Sequence, residues 1–256
     1  MSLQLTRTDF NPTFQDVLIA KSILRGLRLP VFPHQLPEEL ALLILSFAAY
    51  QTRITDRRVE VLQYEANDFW EPGPIASVAG LYLTTQPLPA ACHHVSWITI
   101  QMRAADQGWA SFGGDGTYEN SHTWFEVSIL HPVADHTAEV VVEEPLELAL
   151  AHTFRSPTDA RQELRERGWA IVERDGRSSW KVHHNITARR EWHDYRVDWR
   201  AGIHIQTQEP MAAGSGEGFL DALGPGARVA LWARAEQQAW RVKVAEAVIE
   251  MGVEYY

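Results

Sequence analysis

The residues best suited to chemistry in this chain lie together in ADQGWASFGGDGTYENSHTWFEVSIL, positions 105–130. Asp106, Asp115 and Glu126 supply carboxylates, and Trp109, Tyr118 and Trp124 supply large aromatic faces between them. Rings stack on the C–H faces of sugars while carboxylates and amides take the hydroxyls, so this set suits a glycan or a protein segment. Trp240, in a second loop at 232–240, adds a further ring. The competing reading is that the tryptophans cap the end of a sandwich, while Gly108, Gly113, Gly114 and Gly116 only permit tight turns. Glu119 and Asn120 extend the oxygen donors toward a calcium set, but the spacing matches no EF-hand loop. No metal ligand and no cofactor is assigned.

Other reaction classes find little support. His93-His94 and His183-His184 are adjacent pairs, and neighbours in a strand point to opposite faces, so neither pair serves one ion. No HExxH or cysteine–histidine pattern accompanies them. GSGEG (214–218) has glycine where a nucleophile elbow has serine, and no lysine follows to make a phosphate loop. Cys92 beside His93 is a poor catalytic pair, because adjacent residues seldom meet. No catalytic residue is assigned.

The elements that must position these residues follow from periodicity. Residues 122–130 alternate, which sends Thr123, Phe125, Val127 and Ile129 to a core and His122, Trp124, Glu126 and Ser128 to the other face. VSWITIQMR (95–103) sets Ile98, Ile100 and Met102 opposite Trp97, Thr99 and Gln101. HDYRVDW (193–199) and ARVALWARA (227–235) alternate too, the latter with Val229, Leu231 and Ala233 against Arg228, Trp232 and Arg234. A short strand is expected at 138–145, a hairpin over 169–188 turning at Asp175-Gly176, and a closing strand or pair in the final residues from Trp240. One helix interrupts them at 156–168, with Ser156 as N-cap, Pro157 at the first position and Gly168 as stop. Residues 201–226 read as a long, mostly irregular connection. Many short strands without βαβ alternation predict a mainly β fold, an antiparallel sandwich or jelly roll.

Two helices precede the strands, at 13–28 and 36–50. In the second, LPEELALLILSFAAY, Pro37 and the acidic pair Glu38-Glu39 suit a helix start. The organisation is a helical extension over 1–57 and a β domain over 58–256. A net charge of -10 disfavours nucleic acid and anionic membranes as partners. No apolar run is long enough to span a bilayer, the N-terminus lacks a signal-like centre, and a single cysteine precludes an intrachain disulfide. A cytoplasmic location is expected, where the sequon Asn185-Ile186-Thr187 would stay idle.

Four phrases together resemble a family of fungal intracellular proteins: LPEELALLILSFAAY, DQGWASFGGDGTYENSHTWFEV, NITARREWHDYRVDW and GEGFLDALGPGARVALWARAEQQAW. The resemblance spans roughly residues 36–250 and implies an "LPxEL" helix ahead of a β-rich domain, with no established activity. Ala110-Ser111-Phe112, Ser121-His122 and Gln238-Ala239-Trp240 depart from the family's usual residues. The helix is also similar to the start of an F-box. That similarity implies docking of Leu40, Leu43, Ile44 and Phe47 on an adaptor of the ubiquitin-ligase machinery; the alternative is that the helix packs on its own sandwich. In outline the β domain is similar to galactose-binding-like sandwiches. The leading expectation is a non-enzymatic ligand-binding sandwich. The adaptor reading comes second, and a hydrolase or lyase without a recognisable motif third.

Overall fold

The computed structural model describes residues 3–5, 10–26, 35–67, 76–133, 145–203 and 211–255. Two antiparallel sheets face each other. One holds, in spatial order, β1 (Thr52–Glu65), β9 (Arg241–Tyr255), β3 (Cys92–Ala105) and β7 (His193–Arg200). The other runs β2 (Ser77–Thr84), β8 (Arg228–Glu236) and β4 (Thr123–Pro132), with β5 (Trp169–Ile171) and β6 (Trp180–His184) sharing the remaining edge of β4. The chain changes sheet at each step from β1 to β4 and again from β6 to β9. That winding gives the mainly β, antiparallel sandwich which the alternation predicts.

The core lies between the sheets. Phe125, Val127 and Ile129 of β4 meet Ile98 and Ile100 of β3 and Val229 and Leu231 of β8 in one buried cluster. All seven are completely buried, so the period-two pattern placed them correctly.

The opposite face of the second sheet departs from that pattern. Trp232 alternates with the core residues of β8, yet it is as buried as they are. Two short helices, α3 (Leu146–Ala149) and α4 (Arg161–Glu166), cover it and build a second apolar cluster from Leu81, Leu130, Leu146, Leu164, Trp169 and Trp232. Withdrawing a side chain of this size from water contributes roughly 2–3 kcal/mol, which favours the lid.

Several local expectations are corrected. Asp175 and Gly176 do turn with positive φ, and Arg174 and Arg177 exchange backbone bonds of 2.9 and 2.8 Å around them. The flanking β5 and β6, however, pair with β4 instead of with each other, so the hairpin shrinks to its turn. The helix at 156–168 is a 3-10 turn over Pro157–Ala160 followed by α4. Ser156 makes no side-chain cap there; its hydroxyl donates to Asp159 at 2.9 Å. The mostly irregular connection at 201–226 holds one short helix, α5 (Phe219–Ala222), which that reading allows. The closing segment is one strand, β9, and β1 begins at Thr52. Of the strand expected at 138–145, residues 138–144 lie outside the described residues.

The N-terminal extension forms α1 (Phe14–Gly26) and α2 (Glu38–Phe47). Thr13 and Asp16 cap α1 reciprocally: the Asp16 carboxylate accepts from Thr13 N–H at 2.9 Å, and Asp16 N–H donates to Thr13 Oγ1 at 3.2 Å. Lys21 ties α1 to Glu38 of α2 at 2.5 Å. The pair is anchored by Phe14, whose ring lies 4.5 Å from that of Tyr255 on β9. Asn11 pairs with the Arg53 backbone in both directions.

Candidate functional site

The loop between β3 and β4 is assembled around a buried carboxylate. Asp106 is 1% exposed. Its Oδ2 accepts from Ala188 N–H at 2.7 Å and its Oδ1 from the Thr123 hydroxyl at 3.3 Å. Burial pushes its pKa up to about 6, opposed by bonds from the Ala188 and Gln107 N–H groups and from Thr123. Asn185 and Thr187 are buried in the same network: Asn185 Nδ2 donates to Thr123 Oγ1 at 2.9 Å and the Thr187 hydroxyl to Glu119 O at 2.8 Å. The sequon is therefore a structural clasp. Gly114, at φ +88°, is required where it stands, because a Cβ would come within 2.2 Å of Glu119 O.

Glu126 is equally committed. It forms a buried ion pair with Arg234 and accepts from Ser179 at 2.9 Å. Arg234 in turn donates to Val78 O at 3.0 Å, and its guanidinium lies 5.0 Å from the centre of the Trp124 ring. Trp240 is 2% exposed, with His122 packed edge-on against it at 4.8 Å and Trp109 at 5.9 Å. Trp109, Tyr118 and Trp124 are half-buried, and Asp115 is exposed. Of the predicted ligand set, Asp106, Glu126 and Trp240 thus serve the interior. Trp109, Asp115, Tyr118 and Trp124 keep some contact with solvent.

His184 sits beside Trp124, with ring centres 5.8 Å apart. Burial, then the charges of Lys181 and His183, lower its pKa to about 4. The Cys92 thiol is buried and its pKa is raised by that burial. Among the described residues no group of three His, Cys, Asp or Glu side chains could hold a metal. No helix among them is long and apolar enough to cross a membrane.

The second candidate surface is α2. The sequence LALLILSF is apolar nearly all round, so it cannot show one wet face and one dry face. Ala41 and Leu45 are buried toward the body of the protein. Leu40, Leu43, Ile44 and Phe47, on the opposite side, are 39%, 49%, 43% and 84% exposed. The helix does pack on its own chain, but by the face that the F-box-like set does not use. Ile19 and Ile23 of α1 are exposed as well.

No protein-family model and no curated protein matches this sequence. Among solved structures, a 60-mer BFDV capsid protein aligns over 80% of this chain and 94% of its own at 11% identity. The TM-score of 0.25 is too low to carry an argument about fold or function.

Proposed function

We propose that this protein is a cytoplasmic interaction adaptor. In this reading α2 docks on a component of the ubiquitin-ligase machinery, as an F-box helix does, and the sandwich recognises a glycan or protein ligand. The observation that carries the reading is the exposure of Leu40, Leu43, Ile44 and Phe47 on one face of a helix whose other face is already packed. Contiguous apolar surface of this kind marks an interaction site. The LPxEL pattern and the family resemblance support the choice of partner.

The test is binding of a purified ubiquitin-ligase adaptor to the full chain and to Leu43→Asp and Phe47→Asp. Wild type should form a complex, and either substitution should weaken it by about 30-fold or more, as loss of a hot spot does. No complex with wild type, or equal binding by the variants, would overturn the reading. So would a wild-type dimer that the variants convert to monomer, because the face would then belong to a second copy of the chain.

A further inference from the structure

The outer face of the sheet β1-β9-β3-β7 is polar, whereas the other sheet's outer face carries the helix-covered apolar cluster around Trp232. Its register sets Arg53, Gly252, Trp97 and Arg200 in one row across four strands. With strands spaced about 4.8 Å apart, the two arginine backbones stand roughly 14 Å from each other, with the tryptophan between them. The next row aligns Thr55, Glu250, Thr99 and Asp198.

Gly252 explains how the tryptophan fits. A methyl carbon added there would lie 2.1 Å from Nε1 of Trp97, 2.5 Å from Cε2 and 2.7 Å from Cδ1. A ring lying face-on over the backbone gives that spread; an edge would bring Nε1 close and leave its neighbours farther off. Glycine inside a strand weakens it and marks a place where something must approach closely. Here the indole is laid flat on the sheet, and Trp97 lines a cleft of about 490 Å³. That volume lies within the range of roughly 300–1,000 Å³ typical of small-ligand sites. The N-terminal extension forms one wall and the sheet forms the floor.

The polar groups around the ring are mixed in sign. Asp198 is held by Arg196 through two bonds of 2.8 Å and by the Thr99 hydroxyl at 2.6 Å. Burial opposes its ionisation, but those bonds and the nearby Arg196 and Arg200 charges keep its pKa below the ordinary value. Among the described residues no ion pair engages Arg200 or Glu254, both of which line the cleft. A ligand with several negative charges would meet Asp198 and Glu254. A purely apolar ligand would leave Arg200 unmatched.

We propose that this cleft binds a saccharide bearing one carboxylate, its C–H face stacked on Trp97 and its carboxylate paired with Arg200. Gln51 and Glu254 are placed to exchange hydrogen bonds with its hydroxyls. The proposal rests on the sandwich being the ligand-recognising part of the molecule and does not involve the exposed face of α2.

The experiment is a glycan array carrying uronate- and sialate-terminated oligosaccharides beside their neutral parents, followed by calorimetric titration of the best acidic probe. Trp97→Ala should weaken that probe by about 30-fold or more, and Trp97→Phe should restore part of the loss. Arg200→Gln should erase a preference of about tenfold or more for the acidic probe over its neutral parent. Both positions reach solvent, and matched melting curves establish that the variants are folded. Failure of wild type to bind any acidic glycan, equal affinity for the neutral parent, or binding untouched by Trp97→Ala would overturn the proposal. None of these results alters the adaptor measurement on α2, so the two readings fail separately.

Discussion

Burial raises the Asp106 carboxyl to about 6 from 3.8 and lowers the His184 imidazole to about 4 from 6.5. The two groups therefore drive stability in opposite directions as acid is added. The folded protein takes up the Asp106 proton before the unfolded chain does. Its contribution is present below 3.8 and lost as pH rises through about 6. His184 stays neutral in the fold while the unfolded imidazole protonates, so its contribution is present above 6.5 and lost as pH falls toward 4. Urea midpoints followed from pH 7 to pH 5 should show His184→Gln gaining stability relative to wild type and Asp106→Asn losing it. Parallel profiles for all three would contradict this assignment. At the same scale, Arg234→Ala should cost about 3–5 kcal/mol by denaturant unfolding, because it leaves Glu126 charged and buried without its partner. The residue types of this loop were legible in the sequence, but the direction each faces was not. Asp106 and Glu126 are held by Ala188 and Arg234, 82 and 108 residues away, and no local pattern reports such partners.

Periodicity reports an element well where one face is dry and the other wet. β7 follows its alternation closely, whereas β3 and β4 bury the core residues that the pattern requires, Phe125 among them, together with Thr99, Gln101, Glu126 and Ser128 of the opposite face. β8 shows where the rule stops. Its second face is covered by helices from 146–166, so residues that alternate in type do not alternate in burial. Trp232→Ala should accordingly cost about 3–5 kcal/mol, as a core substitution does, and a cost below 1 kcal/mol would deny the second cluster. The turn chemistry at Asp175-Gly176 is local and predicts a hairpin, whereas the shared edge of β5 and β6 on β4 is not local. α2 was ambiguous for a different reason. A helix that is apolar all round carries no signal about which side meets the protein.

At the scale of the whole molecule, the two outer faces of the sandwich have opposite characters. One is sealed by helices into a second core, and the other carries rows of charge beneath a cleft walled by the extension. The extension itself presents one face of α2 inward and leaves Leu40, Leu43, Ile44 and Phe47 outside. Trp97 was legible as a residue pointing away from the core. Its partnership with Gly252 and Arg200 needed the register of three strands. If α2 has one committed face and one free face, equilibrium unfolding of Leu45→Asp beside Phe47→Asp separates the two. Leu45→Asp should lower stability by several kcal/mol, on the order of the cost of placing a charge in an apolar contact. Phe47→Asp should stay within about 0.5 kcal/mol of wild type, as an exposed substitution does. Equal destabilisation by the two would mean that the chain already covers the outer face itself, and α2 would have nothing left to offer a partner.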